Sequence, residues 1–155
     1  MNEYNLILSA IRDIESLLNS LESKEKSEVG KSFRARCREL PSFIEDAGFV
    51  SALSFCYAKA SNNIYNQIKS TLEKSSEKIK DNASTEKGYA IYLYFVLKNL
   101  KDLKLIEETH LSEPIKALEE LEGEKSRVAS KILRPYLVQL KKLSEAIFET
   151  KSEAK

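Results

Sequence analysis

One histidine beside two acidic residues is the place in this sequence where metal or acid–base chemistry is easiest to imagine. His110 follows Glu107 and Glu108 closely. Three such groups could ligate zinc, but structural zinc sites usually gather Cys and His in fours, and catalytic sites need three protein ligands with an open position. A Ser-His-Asp triad would depend wholly on His110, and no GxSxG elbow accompanies it. We expect a solvated helix end here, with no catalytic residue and no metal site.

Other catalytic signatures are absent from the sequence. There is no Walker sequence, no GxGxxG and no HExxH, so no cofactor is predicted. Cys37 and Cys56 stand apart with no CxxC spacing, which favours two buried, reduced thiols over a disulfide. The sequence therefore predicts a protein that is not an enzyme. An enzyme using His110 with Glu107 and Glu108 is the remaining alternative.

Basic residues at helical spacing are more informative. At about 100° per residue, Lys31, Arg34 and Arg38 share one sector of a helix, beside an apolar sector that contains Phe33. The basic stripe should therefore be exposed when the apolar one is buried, and Arg36 should point to the opposite side. Such stripes can clamp phosphates or pair with a partner's acidic groups, or they can simply keep a helix soluble.

A similar stripe lies later in the chain, at Arg127, Lys131 and Arg134. It runs beside Val128 and Ile132, which we expect to be buried. Here the interpretation as an ordinary solvated helix face is favoured, because Glu124 lies close by.

Composition limits what these stripes can do alone. The chain has 155 residues, of which 42% are hydrophobic, and its net charge is +1. This length suits one globular domain, but a protein that binds nucleic acid through bulk charge would be more basic. No apolar run approaches the roughly 20 residues of a membrane span, and the first residues lack the features of a signal peptide. We therefore expect a cytoplasmic protein that binds neither a membrane nor a small-molecule substrate.

Sparse glycine and proline leave long stretches with helical periodicity, which predicts an all-α, compact single-domain bundle of about six to seven helices. A domain over residues 1–150 should contain a polar loop near 75–88, and residues 151–155 should be a frayed tail. We expect the second helix to end near Leu40, because a residue before proline is biased away from helix, and a short helix to run from Pro41 to a left-handed cap at Gly48. The other helices are predicted at residues 3–23, 27–40, 49–60, 89–106, 112–122 and 125–149. A further helix should follow residue 60 and begin at a cap formed by Asn62 or Asn63. The last helix should be kinked or broken at Pro135.

Apolar spacing also predicts which faces are buried. The segment YAIYLYFVL is apolar on every side, so it should form the central helix, although a buried strand is conceivable from composition alone. The helix at 49–60 should be buried almost all round. The buried stripe of the first helix should contain Tyr4, Leu8, Ile11, Leu18 and Leu21, and that of the last helix Val128, Ile132, Tyr136, Leu140, Leu143 and Ile147.

The segment RCRELPSFIEDAGFVSALSFCYAKA, residues 36–60, resembles the central signature of the small α-helical subunit of the type III-B CRISPR effector, the Cmr complex. In that family a basic helix ends in Pro, a short helix follows, and an apolar helix of the form LxxALAFxxAK comes next. GYAIYLYFVLKNL and RPYLVQLKKLSEAIFE resemble the family's later helices, with Lys141 and Lys142 where an Arg pair is common. Lys59, Lys141 and Lys142 therefore join the two basic stripes as candidate RNA- or partner-binding residues.

The resemblance implies a non-catalytic subunit. Its copies would stack head to tail beside the other Cmr subunits and line the channel where target RNA pairs with the CRISPR RNA. Base pairing reads the sequence in such systems, which leaves backbone contacts to the protein. A structural or adaptor bundle that binds only protein, such as the small subunit of another effector type, is the alternative. The replacements Arg34→Glu and Arg38→Glu together should lower target-RNA retention if the first stripe meets RNA.

Overall fold

The computed structural model describes residues 5–24, 26–74 and 76–148, and these form one compact helical bundle. The all-α prediction, with six to seven helices, is confirmed. Within the described residues the extended structure is a single bridge between Leu21 and Ile79. The helices are α1 Leu6–Ser20, α2 Glu28–Ala47, α3 Phe49–Ala60, α4 Asn62–Lys74, α5 Ser84–Asp102, a 3-10 helix Glu108–Ser112, α6 Pro114–Leu121 and α7 Glu124–Ile147.

Helix α5 is the centre of the bundle, as its sequence predicts. Every residue from Lys87 to Leu97 is buried, and α2, α3 and α4 all pack around it. A helix with no solvated face is stable only when neighbours cover it on every side. The helix begins at Ser84, so the linker from α4 is shorter than the polar loop predicted near 75–88.

Helix α2 continues through Pro41, and the prediction that it would end near Leu40 is wrong. A proline inside a helix removes one backbone hydrogen bond and crowds the preceding turn. Here Cys37 and Leu40 before the proline and Ile44 after it face the same core, so continuing the helix buries both halves. Gly48 ends the helix at φ 99° and ψ 159°, so its φ is positive as expected but its ψ is extended and not left-handed helical.

The buried faces of the first and last helices match the predicted ones only in part: Leu21, Tyr136 and Leu140 are buried as predicted. In α1 the core side contains Ala10, Ile14 and Leu17, whereas Leu8 and Ile11 are exposed; Tyr4 lies outside the described residues. In α7 the core side contains Ala129, Leu133, Tyr136, Leu137 and Leu140, and Val128 and Ile132 are exposed. Each helix has two adjacent apolar stripes. The small Ala10 and Ala129 let the backbones approach, which favours burial of the stripe that contains them.

Other boundaries also differ from the predictions. Helix α7 passes through Pro135 without a break. The cap of α4 is Ser61, whose hydroxyl accepts from the Ile64 N–H at 3.3 Å, and neither Asn62 nor Asn63 fills that role. Helix α3 buries one face only, since Ser51, Ser54 and Lys59 are exposed.

The polar segment before α5 is tied by hydrogen bonds to α1 and to the start of α2. Ile79 is buried, and its N–H donates to the Ser20 carbonyl at 2.6 Å. The Asp81 carboxylate accepts from the Glu28 and Val29 N–H groups at 3.1 and 3.0 Å and from the Ser27 hydroxyl at 3.1 Å, so it caps α2 from far along the chain. Desolvation alone would raise the pKa of Asp81, but these donors, together with Lys31, bring it below its ordinary value.

A buried polar network joins α1, α5 and α7. Asp13 is 2% exposed and accepts from the Tyr136 hydroxyl at 2.5 Å and from Asn99 Nδ2 at 3.0 Å. Lys98 Nζ also donates to this carboxylate. Asn99 Nδ2 also donates to the Phe95 carbonyl at 2.7 Å, and Asn99 Oδ1 accepts from the Ser9 hydroxyl at 2.6 Å. The network fixes the position of α7 relative to the central helix.

Candidate nucleic-acid interface

The first basic stripe is not a continuous exposed surface. Arg34 is 4% exposed and belongs to the buried face of α2, so the prediction that it is exposed is wrong. Its position borders the sector of Phe33 and Cys37, and the buried face of α2 is wide enough to include it. Lys31 lies half-exposed at the start of α2, 3.7 Å from Glu28 Oε1. Arg38 is exposed and faces α7, where its Nε lies 3.4 Å from Glu145 Oε2.

Arg36 points away from this sector, as predicted. Its guanidinium lies 4.3 Å from the centre of the Tyr89 ring, and its Nε lies 2.8 Å from Glu39 Oε1. A guanidinium stacked on an aromatic ring and paired with a carboxylate holds α2 against α5. This arginine is therefore part of the packing and not of a basic surface.

The second stripe is exposed and continues along α7. Its members share one sector of about 100° on the helix, and we call this set the α7 cationic face: Arg127, Lys131, Arg134, Lys141 and Lys142. Arg134 NH2 lies 3.7 Å from Glu45 Oε1, but both side chains are largely exposed, so this pair is weak and easily screened. The other four have no carboxylate of a described residue within 4 Å of their charged nitrogens.

A groove runs beside this face between α2 and α7. Its volume is about 570 Å³. Arg127, Lys131 and Arg134 stand along one side, opposite Glu45. Its apolar lining comes from Pro41, Ile44, Phe49, Leu137 and Val138. A strip of cations above apolar surface can hold a phosphate backbone while excluding water from it. Sequence reasoning missed the groove, because it depends on α2 continuing past Pro41.

Lys59 lies apart from the α7 cationic face. It is exposed near the end of α3, with its Nζ 5.5 Å from the centre of the Phe55 ring. Phe49, through which α3 lines the groove, is ten residues earlier, or about 15 Å along the helix at 1.5 Å per residue. The structure thus brings the α7 candidates together and places Arg38 against Glu145 of the same helix, whereas Lys59 and Lys31 lie elsewhere.

The histidine belongs to a local hydrogen-bond pair. His110 Nδ1 lies 2.6 Å from Glu120 Oε1, so the His110 ring is half-buried against α6, although Glu107 and Glu108 are exposed as predicted. Its Nε2 lies 3.7 Å from Glu107 Oε2. Desolvation would raise the pKa of Glu120, but the His110 bond, the Glu107 N–H and Lys125 bring it below its ordinary value.

Metal ligation finds no support in the part of the chain that the structure describes. No three of its His, Cys, Asp and Glu residues are grouped closely enough to hold a metal ion. Cys37 and Cys56 are both buried and free, as predicted. Burial raises the pKa of the Cys56 thiol to about 12 and that of Cys37 further, so both resist ionisation.

Among the described residues, no helix is long and apolar enough to cross a membrane.

The fold and this surface define a small all-α protein whose distinctive chemistry lies in a charged helix face beside a groove. The family described as CRISPR-associated protein (Cas_Cmr5) matches residues 9–147, and the chain belongs to this family. The CRISPR system CMR subunit Cmr5 of Saccharolobus solfataricus is 28% identical over 148 residues, which cover 92% of each protein.

Two solved structures share the fold. One is a cryo-EM structure of the type III-B Cmr-beta bound to cognate target RNA and AMPPnP. The matched chain is 22% identical in sequence, the match covers 93% of this chain and 96% of that chain, and the TM-score is 0.79. The other is a cryo-EM structure of the type III-B Cmr-beta complex bound to non-cognate target RNA. The matched chain is 21% identical in sequence, the match covers 97% of this chain and 100% of that chain, and the TM-score is 0.83. The family prediction made from residues 36–60 is confirmed.

Proposed function

We propose that this chain is a non-catalytic structural subunit of the type III-B CRISPR effector complex and that its copies stack along the duplex of CRISPR RNA and target RNA, with the α7 cationic face against the phosphates. The observation that carries the proposal is the row of cations on α7, four of which no described carboxylate neutralises. The relatives of this fold come from complexes bound to target RNA. Stacking, cytoplasmic location and the absence of catalysis belong to the same proposal.

The cations of α7 are concentrated on one side of a nearly neutral protein, and this side suits an RNA backbone. The chain as a whole carries a net charge of +1, so it has little general attraction for nucleic acid. A local row of cations becomes effective when other subunits hold the duplex beside it, because each phosphate that it neutralises adds a modest, salt-sensitive gain.

Exposed apolar residues favour protein contacts elsewhere on the molecule. Ile7 is 52% exposed, Ile115 is 60% exposed, and Leu8 and Ile11 are also exposed. Exposed aliphatic side chains in neighbouring turns of a helix are typical of surfaces that meet a partner. This observation supports the second candidate function, an adaptor that binds only protein, in which the α7 cationic face pairs with acidic side chains of another subunit.

The test replaces Arg127, Lys131 and Arg134 with alanine together. In a reconstituted complex with guide RNA, we expect normal incorporation of the variant and weaker retention of target RNA. The slope of log affinity against log salt should fall by about 0.7–0.9 for each phosphate that the variant no longer neutralises. The matched control removes three exposed lysines on other parts of the chain, Lys26, Lys74 and Lys116, and should change neither quantity.

The two candidate functions give different results. If the α7 variant fails to join the complex, the face binds protein and the adaptor function is correct. If it joins and retains target RNA with unchanged affinity and salt slope, the face does not meet RNA. The combined replacement of Arg34 and Arg38 cannot decide the question, because Arg34 is buried and its loss would disturb α2.

A further inference from the structure

Lys87, in the first turns of α5, is a buried cation without a direct counter-ion. The residue is 6% exposed, and its Nζ donates to the Lys80 carbonyl at 2.9 Å and to Asn82 Oδ1 at 2.6 Å. Both acceptors are neutral. No carboxylate of a described residue lies within 4 Å of this Nζ. A buried ammonium is costly unless a negative charge compensates it.

The nearest acids have other partners. Glu22 accepts from the Asp81 N–H at 3.0 Å, and Asp81 caps the start of α2. Desolvation lowers the pKa of Lys87, as does Lys80, while Glu22 and Asp81 act in the opposite direction. The net pKa stays below the ordinary lysine value, so the two carboxylates leave the positive charge incompletely compensated.

Lys87 lines a cavity between α4 and the segment 77–80. Its volume is about 560 Å³. The α4 wall is one helix face of amides and hydroxyls, formed by Asn63, Asn66, Gln67, Ser70 and Thr71. Within the described residues, none of these five side chains makes a hydrogen bond. The opposite wall carries Lys78 and Lys80 as well as Lys87, with Glu77 as the acid of the lining.

From this arrangement we propose that the cavity between α4 and the segment 77–80 binds a phosphate group. A lysine ammonium can donate three hydrogen bonds, and Lys87 uses two of them within the protein. A phosphate supplies the missing negative charge, and its oxygens accept from hydroxyl and amide donors such as those of α4. Lys78 and Lys80 outnumber Glu77 in the lining and favour an anion, and the Lys78 ammonium also donates to the Asn19 carbonyl.

The phosphate can have two sources, a free phosphate-containing molecule or the phosphodiester backbone of RNA. The site is separate from the α7 cationic face, since none of its lining residues belongs to α7 or to the groove. It goes beyond the proposed function and does not depend on it. Loss of the three α7 cations should therefore leave phosphate binding in this cavity unchanged.

The experiment titrates the full chain with inorganic phosphate by isothermal calorimetry, with chloride at matched ionic strength as the reference. We expect saturable binding by the wild type and about tenfold weaker binding by Lys87→Met, because that variant lacks the hydrogen bond from a charged donor. Lys74→Ala removes an exposed lysine of α4 outside the cavity lining and should bind as the wild type does.

A second variant guards against misfolding of Lys87→Met. The pair Ser70→Ala and Thr71→Val removes two hydroxyl donors from the α4 wall and leaves Lys87 in place; it should bind phosphate several-fold more weakly. Absence of saturable binding by the wild type, or equal affinity in wild type and both variants, would overturn the proposal.

RNA arms of the experiment identify the source. A short single-stranded RNA is titrated into wild type and Lys87→Met, with and without inorganic phosphate. Competition by phosphate and weaker RNA binding in the variant assign the site to a phosphodiester. Phosphate binding that depends on Lys87, with RNA binding unchanged, assigns it to a free phosphate compound.

Discussion

Asp13→Ala should be among the most damaging single replacements in this chain. The carboxylate is buried at the junction of α1, α5 and α7, and it accepts from Tyr136, Asn99 and Lys98. A hydrogen bond to a buried charged group contributes about 1.5–3 kcal/mol. Two of these bonds are fully buried, while Lys98 is partly exposed and contributes less. The two fully buried bonds therefore give an expected loss in free energy of unfolding of about 3–5 kcal/mol.

Urea unfolding followed by far-ultraviolet circular dichroism measures this loss. Glu15→Ala is the matched control, because Glu15 is exposed on the same helix and its replacement should cost less than about 0.5 kcal/mol. Tyr136→Phe removes one bond of the network, and the double variant with Asp13→Ala should cost clearly less than the sum of the two single variants. A loss below about 1 kcal/mol for Asp13→Ala, or strict additivity in the cycle, would show that the network does not hold α7 in place.

Two further predictions concern the ends of α2 and its packing. Asp81→Asn should lower the free energy of unfolding by about 1–2 kcal/mol at neutral pH, as loss of a helix cap does. Because folding lowers the pKa of Asp81, this contribution to stability is complete above the ordinary aspartate pKa near 3.8 and is lost as the pH falls through the lower folded value. The stabilities of the wild type and the variant should therefore converge in acid. A constant difference between them down to about pH 2 would contradict the role of Asp81 as a cap. Gly30→Ala places a Cβ 2.5 Å from the ring of Phe148, so we expect about 1–3 kcal/mol of destabilisation in urea unfolding, whereas an unchanged midpoint would show that the ring moves aside freely.

The sequence predicted the fold class well because long apolar periodicity dominates it. Helix α5 could be placed at the centre from its all-round apolar segment, and α3 has the predicted bounds. The family could be identified from residues 36–60 alone. These features depend on local sequence, which a single chain carries in full.

The burial of side chains was harder to predict. Two adjacent apolar stripes on α7, one with Val128 and the other with Ala129, fit the same period, and the choice between them depends on the neighbouring helices. Arg34 shows the same difficulty, because its sector borders the apolar one and packing decides on which side of the boundary it falls. The continuation of α2 past Pro41 was missed for a related reason, since the local cost of proline is outweighed by burial on both sides.

The site was predictable only in part. The cations of α7 stand out by spacing, but the groove beside them needs Glu45 and Pro41 from a helix that the sequence predicted to end earlier. The cavity at Lys87 left no sequence signal, because its walls come from α4 and from a segment that follows it in the chain. Packing between separate elements forms both the groove and the cavity. The periodicity of 3.6 residues shows which residues share one helix face, but it does not show which helices pack together.

Because residues 87–97 of α5 are buried, hydrogen exchange of their backbone amides reports the stability of the whole protein. Amide hydrogens in a helix covered by three others can exchange with solvent only when the whole bundle opens. After correction for intrinsic exchange rates, the amide protons from Ile91 to Leu97 should therefore give one common free energy of opening. That free energy would report how strongly a neighbouring subunit or RNA holds the folded state, even when the ligand touches only the outer helices.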